Sequence, residues 1–246
     1  MTHSKTLLTA CAIMLFFANC NKNITDPLPD DLGLPKTYTE DIKSSYYGNS
    51  TTTYNLTFDS DKRLLTLISQ SNPGDKMVYK YSNNAYSLEI FNSGTLSIHE
   101  NFFLNANSLL DSTLQYNDTH DSSTEKYFYN GAKQLIKLIE YDYSKATGAV
   151  PNNTHTYTYD NEGNQLTDID DNTSQTYTYY TDRSNVDPLN QPYFPTPKHP
   201  LKTVTLDTGS QTASISYTYT YDAKGRLLTE KQVISTGDTI LKTYTY

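Results

Sequence analysis

Tryptophan is absent from this chain, histidine occurs only five times, and both of its cysteines lie within the first twenty residues. Basic residues are also few, with 19 Lys and Arg against 27 Asp and Glu in 246 residues and a formal net charge of −8. A nucleic-acid partner requires a basic footprint to displace counterions. No Lys/Arg cluster exists in the sequence, which excludes nucleic acid and argues against attraction to anionic headgroups. Beyond Ala18 no stretch is apolar enough to span a bilayer as a helix. The histidines, His3, His99, His120, His155 and His199, show no metal-ligand spacing, and no GxSxG elbow is present. The sequence therefore names no catalytic residue, no metal site and no cofactor, and it argues against an enzyme.

Aromatics are plentiful: 23 Tyr and 8 Phe, 13% of the chain with no Trp contributing. A disordered chain lacks aromatic and β-branched residues; this one is rich in Tyr, Thr and Ile, which favour strands.

The N-terminus reads as an address. Lys5 precedes an apolar stretch from Leu7 to Ala18, the length of a signal-peptide core and too short to cross a membrane. Cys20 follows it in Phe17-Ala18-Asn19-Cys20, which resembles a bacterial lipobox with Phe and Asn where Leu and Gly or Ala are usual. Leu8-Thr9-Ala10-Cys11 fits the letters better. Processing there would leave Ala12 to Ala18 on the product, so position favours Cys20. The alternative is an ordinary signal peptide with Cys20 left as a thiol. Residues 1–19 are thus expected to be a lipoprotein signal, with Cys20 the lipid attachment that joins the protein to the membrane. Removing them takes away Lys5 and no acid, and leaves no second cysteine for a disulfide. Residues 20–40, with three prolines and several acids, read as a flexible tether.

A repeat fills the remainder, residues 41–246, expected as one domain. Its clearest copies are Tyr217-Thr-Tyr219-Thr-Tyr221-Asp222-Ala-Lys-Gly225-Arg226-Leu227-Leu228 and Tyr157-Thr-Tyr159-Asp160-Asn-Glu-Gly163. Weaker ones are Tyr127-Phe-Tyr129-Asn130, Phe103-Leu-Asn105, Tyr54-Asn-Leu-Thr-Phe58-Asp59 and Tyr79-Lys-Tyr81. The aromatic before each turn recurs every 22 to 30 residues up to Tyr159, then after two periods at Tyr221. Tyr180-Thr181-Asp182 stands where the missing copy should begin. A period of this size signals a repeat architecture. Tyr-x-Tyr is a strand with one aromatic face; Asp-x-x-Gly reverses the chain, the Asp bonding backbone two residues on and the Gly taking positive φ. Six or seven such hairpins imply roughly a dozen strands. Sequential antiparallel strands neighbour each other, so the expected fold is all-β: a long antiparallel up-and-down meander of hairpins curled into an open or half β-barrel.

These motifs resemble the Tyr-Asp (YD) repeats of Rhs-type bacterial surface proteins. The layout from about residue 45 to the C-terminus is similar to a group of Bacteroidetes-type lipoproteins of unknown function with a porin-like β fold. That resemblance implies an outer-membrane lipoprotein, facing the periplasm or the cell surface, and carries no activity with it.

Several features are weighed for binding. The Tyr faces Tyr157/Tyr159, Tyr177/Tyr179, Tyr217/Tyr219/Tyr221 and Tyr244/Tyr246 offer an aromatic wall for sugars, peptides or lipids, or plain cross-strand packing. The Pro-rich insertion 182–200 places Tyr193 and Phe194 where they would gate or plug a barrel. Tyr193, Phe194, Tyr219 and Tyr221 are the candidate ligand contacts. Asp168-Ile169-Asp170-Asp171-Asn172 has alternating oxygen ligands, without the Gly and closing Glu of a Ca²⁺ loop, and reads as a solvated turn. Asp111-Ser112-Thr113 and Asp238-Thr239-Ile240 look like short O-glycosylation triplets. The terminal Tyr244-Thr-Tyr246 strand resembles that of outer-membrane barrels, yet strands alternating Tyr with Thr, Ser, Lys and Asp lack an apolar lipid-facing band. The sequence supports a non-enzymatic, lipid-anchored envelope protein that binds or scaffolds a glycan, protein or lipid. The alternative is a periplasmic carrier holding a hydrophobic ligand in a concave half-barrel.

Overall fold

The structure is a computed structural model and describes residues 33–117, 122–144, 148–186, 188–189 and 197–246. Every regular element in it is a strand: β1 (Thr37–Ser44), β2 (Gly48–Phe58), β3 (Leu64–Ser69), β4 (Lys76–Tyr81), β5 (Ala85–Asn92), β6 (Thr95–Leu104), β7 (Leu110–Asn117), β8 (Ser122–Tyr129), β9 (Leu135–Ser144), β10 (Gly148–Tyr159), β11 (Gln165–Ile169), β12 (Ser174–Tyr179), β13 (Leu201–Asp207), β14 (Thr212–Tyr221), β15 (Leu227–Ile234) and β16 (Thr239–Thr245). Each pairs antiparallel with its neighbours in sequence, and β16 returns to β1 to close the barrel.

The meander is the expected one, and it goes further than an open or half-barrel because its ends join. Thr37 pairs with Thr245 and Lys43 with Thr239. The joining strand begins at Thr37, inside the stretch read as tether. It looks polar in sequence because only alternate residues, Tyr38, Glu40 and Ile42, face inward, and the Tyr38 hydroxyl donates to Glu40 Oε1 at 2.7 Å. Closure removes the two exposed edges that an open sheet would present.

Five turns share one geometry. The Asp or Asn that opens each turn, at positions 59, 105, 130, 160 and 222, accepts two backbone N–H bonds on Oδ1 at 2.8–3.2 Å, from residues two and four further on; it follows an aromatic in four of them and Leu104 in the fifth. In Asp59 and Asp222 the second carboxylate oxygen also holds the guanidinium of Arg63 and of Arg226. The fourth residue of each turn has positive φ: Lys62, Ser108, Lys133, Gly163 and Gly225. Only two of the five are the expected glycine. A one-residue bulge follows each turn, for example between Thr220 and Tyr221 opposite β15. The next hairpin then locks the bulge. The hydroxyls of Tyr81, Tyr159, Tyr179 and Tyr246 donate to the carbonyls of Leu64, Leu135, Gln165 and Leu227, the first residues of the neighbouring return strands. Arg63 and Arg226 lie 4.3 Å over the rings of Tyr81 and Tyr246.

Because side chains alternate, this register sends most aromatics inward and a threonine lattice outward, with Phe103, Tyr116 and Phe128 left on the outer face. Thr57–Thr66, Thr158–Thr167, Thr178–Thr203 and Thr220–Thr229 form exposed hydroxyl–hydroxyl rungs at 2.6–2.7 Å. The core is aromatic and aliphatic: Tyr38, Tyr79, Tyr86, Phe102, Tyr127 and Tyr244 with Leu56, Leu64, Leu110 and Leu135, and a second cluster around Tyr177, Val204, Ile215 and Tyr217.

Gly225 has φ +81°, with open space around the position a Cβ would take. Gly225→Val is therefore expected to cost about 1–2 kcal/mol through backbone strain alone, read as a lowered Tm. Lys133→Gly, which relieves the same strain at φ 62°, should raise Tm. Equal Tm values for all three proteins would show that the positive-φ position does not govern the turn.

Candidate functional site

Up-and-down topology gives the barrel two unlike mouths. The Asp/Asn turns, the described ends of the insertion and both ends of the strand system share one of them. There the inner wall is lined by Phe58, Tyr81, Tyr129, Tyr221 and Tyr246, all packed against the core. Rings stack along strands at i, i+2, as in Tyr217–Tyr219–Tyr221 at 6.5 Å per step, and across strands, as in Tyr86–Phe102 at 4.2 Å. Such pairs contribute about 0.5–1.5 kcal/mol each beyond area burial. The Tyr faces are thus the inside of the barrel. Tyr219 is packed there, burial raising its pKa, and Tyr221 is half-buried beside Arg183.

The insertion stands where a turn stands in the sister hairpins. Tyr180 N donates to Pro200 O at 2.9 Å, the place Asp222 N–Arg226 O holds in its sister. His199 is buried and fastens the base: its Nδ1 lies 2.7 Å from Arg183 O and its Nε2 3.1 Å from Glu162 Oε2, while its backbone N–H donates to Asn164 Oδ1. Lys198 bonds the other Glu162 oxygen. Tyr180 lies edge-on to Tyr219 at 6.1 Å, and Leu189 packs against the core cluster. The described part of the insertion thus packs onto the inner wall at this mouth. Tyr193 and Phe194 lie outside the described residues, as do Cys20 and residues 1–19. Tyr219 and Tyr221, the other two candidate contacts, meet the insertion through Tyr180 and Arg183.

Deeper in the barrel a row of ionisable groups crosses β6 to β11 on the inner wall. Glu125 accepts hydrogen bonds from the hydroxyls of Thr113 and Tyr127. Glu140 stands opposite it in register. His155 Nδ1 lies 2.8 Å from Asp168 Oδ1 and its Nε2 3.3 Å from Glu140 Oε1. Burial opposes charge on this imidazole, but the bonds to Asp168 and Glu140 outweigh it and push its pKa up to about 10. Glu100 is pushed up to about 8, first by burial and then by the nearby Glu125. A second polar patch lies on β15, β16 and β1, where Lys242 pairs with Glu230 at 3.1 Å and Gln232 donates to Glu230. No group of three or more His, Cys, Asp or Glu among the described residues is arranged to hold a metal ion.

Sequence reasoning missed this row, since its consecutive members lie 13 to 25 residues apart. Parity was the available signal: Glu100, Glu125, Glu140, His155 and Asp168 share the strand face of Phe102, Tyr127, Leu138, Tyr157 and Gln165 or the equivalent inner position. The acidic run divides accordingly. Asp168 faces inward to His155, whereas Asp170 caps the turn by accepting from Asn172 N, Thr173 N and Thr173 Oγ1.

The row makes stability fall with rising pH. Glu100 has a folded pKa above its ordinary 4.5, so its contribution is complete below about 4.5 and is lost as pH rises through about 8. His155 is raised from 6.5, so its contribution is complete below about 6.5 and is lost through about 10. The turn carboxylates Asp160, Asp170, Asp222 and Asp238 are lowered from 3.8 and lose their contribution below it. Maximum Tm is expected at about pH 4 to 4.5, between the unfolded values of the turn carboxylates and of Glu100. Glu100→Gln should raise Tm at pH 9 and leave it unchanged at pH 4. A variant no more stable than wild type at pH 9 would mean that Glu100 is solvated.

No protein-family model matches the chain, and no curated protein matches it by sequence. Solved structures do. A porin-like protein from Bacteroides uniformis superposes with a TM-score of 0.60 at 13% identity, over 86% of this chain and 97% of the other. A porin-like protein from Bacteroides vulgatus does so at 0.60 and 10% identity, over 87% and 98%. At these identities the likeness is one of fold: this chain is an all-β, up-and-down barrel of the kind those two proteins form.

Proposed function

We propose that this protein is a non-enzymatic, lipid-anchored binding or scaffold protein of the bacterial cell envelope, standing in water beside the membrane and held to it through Cys20. One observation carries the reading: the tyrosine layers face inward, and the outer wall is largely Thr, Ser and charged side chains, with exposed apolar ones such as Phe103, Phe128 and Ile136 scattered among them. A bilayer-spanning barrel reverses this, with an apolar band facing lipid and a polar lumen. Mid-wall outer positions here hold Thr176, Thr205, Thr218, Lys231, and the Lys80–Glu89 pair at 2.5 Å. The signal-like N-terminus supports export, and the porin-like fold of the Bacteroides structures supports an envelope setting.

The interior acids do not favour catalysis. Glu125, Glu140 and Asp168 are bonded to Tyr127, Thr113 and His155, a closed network of the sort that satisfies a polar core. A second reading, a carrier for a hydrophobic ligand, is favoured by the aromatic inner wall and by Leu189 packed against it at one mouth.

Cys20→Ala should abolish incorporation of labelled fatty acid and release the protein from the membrane fraction; continued labelling would refute Cys20 as the anchor. Protease treatment of intact and lysed cells then separates the two readings. Digestion in intact cells supports a surface binding protein, whereas protection until lysis supports the periplasmic carrier.

A further inference from the structure

The mouth opposite the insertion is built differently. Its described turns, 45–47, 70–75, 93–94, 170–173, 208–211 and 235–238, consist mostly of Ser, Thr, Gly, Asn, Gln, Asp and Tyr, with no Lys, Arg or His. Most described cations near a turn lie at the other mouth, Lys62, Arg63, Lys133, Arg183, Lys198, Lys224 and Arg226, while Lys43, 3.9 Å from Asp41, and Lys76 flank turns at this one.

The β1–β2 hairpin projects from this rim, whose described turns hold no cation. β2 pairs with β3 only from Tyr54 onward, so Gly48 to Thr52 are held by β1 alone. At its tip Tyr46 and Tyr47 are 46% and 56% exposed, their rings edge-to-face at 4.8 Å. Exposed aromatics on a loose loop would be unremarked, but this turn is fixed from the far end of the chain. Buried Asp238 accepts from Ser45 N at 2.8 Å, from Ser45 Oγ at 3.0 Å and from Ser44 Oγ at 3.1 Å. Ser44 Oγ in turn accepts from the backbone N–H of both Tyr46 and Tyr47 at 3.2 Å. The neighbouring turns are also locked: Gly94 N donates to Gly74 O and Ser93 N to Asp75 Oδ1.

We propose that this projecting hairpin is a binding platform for neutral, polyhydroxylated ligands, oligosaccharides above all, with Tyr46 and Tyr47 as its aromatic floor. This rests on the binding-protein reading above. A tyrosine presents a flat apolar face to the C–H groups of a sugar ring and a hydroxyl to its oxygens. The exposed Ser45, Asn49, Ser50 and Thr51 beside it supply short hydroxyl and amide partners. Tyr, Ser, Gly and Asn on rigid turns combine contact area with adaptable hydrogen bonding at low entropic cost. The described turns of this rim carry Asp75, Asp170 and Asp171 and no cation, and Lys43 beside the platform is paired with Asp41 at 3.9 Å, which favours neutral over anionic ligands. The free edge from Gly48 to Thr52 is small and polar, without the alternating side-chain pockets that select a peptide added as a strand.

The test is a screen of the full mature protein on an array of neutral glucan, mannan, xylan and galactan oligosaccharides alongside sulfated and sialylated ones. Bound oligosaccharides are then titrated calorimetrically into wild type, Tyr46→Ala/Tyr47→Ala and Tyr116→Ala. The expected result is binding of neutral oligosaccharides that weakens at least about tenfold in the double variant and not in Tyr116→Ala, with Tm unchanged. Equal binding by the double variant would overturn the platform while leaving the binding-protein reading intact. Binding of anionic oligosaccharides alone, or of none, would overturn it as well.

Discussion

One oxygen accepting two backbone N–H groups is the interaction on which the barrel depends. At each Asp or Asn turn that bond fixes a tight reversal followed by a one-residue bulge. The bulge sets the register of the return strand, and register decides which residues face in. A slip of one residue would turn the Tyr layers out to water and the threonines into the core. The neighbouring tyrosine hydroxyl, bonded to the first carbonyl of the return strand, repeats the constraint from the next hairpin. The turns are therefore coupled around the rim, and the long meander keeps its parity until β16 meets β1.

Much of this was legible in the sequence where local chemistry dictates it. Tyr157-x-Tyr159-Asp160 and Tyr217-x-Tyr219-x-Tyr221-Asp222 state a strand face and a turn within a few residues. Other features depend on contacts that no local window contains. Lys62, Ser108 and Lys133 occupy the left-handed position without being glycine, because the capped turn holds them there. The first half of β1, Thr37 to Glu40, passed for tether since its inward residues include Glu40, paired with Tyr38. The strand count came out at sixteen rather than a dozen because β1 and the strands flanking the insertion carry no complete turn motif. The same holds for the site. The placement of Tyr219 and Tyr221 follows from alternation, whereas the His155 row needs four strands in register.

The two mouths divide the molecule's chemistry. One carries the chain ends, the paired cations and the insertion base fastened by His199 and Glu162. The other carries polar turns and the raised Tyr46–Tyr47 hairpin. Under the proposed anchoring at Cys20, the chain enters at the first mouth and leaves the second facing away from the anchor. Between them the inner wall carries aromatics and the polar row, where burial and Glu125 raise the pKa of Glu100 and the bonds to Asp168 and Glu140 raise that of His155.

The central claim is that the barrel buries its aromatic face inward and meets water with its threonine face. Sedimentation of the chain from residue 21 onward in detergent-free buffer, with far-UV circular dichroism on the same sample, tests it most directly. The account predicts a soluble, monodisperse, β-rich species that binds no detergent when it is offered. Aggregation that only micelles prevent, with a detergent belt on the sedimenting particle, would contradict it and place the outer wall in lipid.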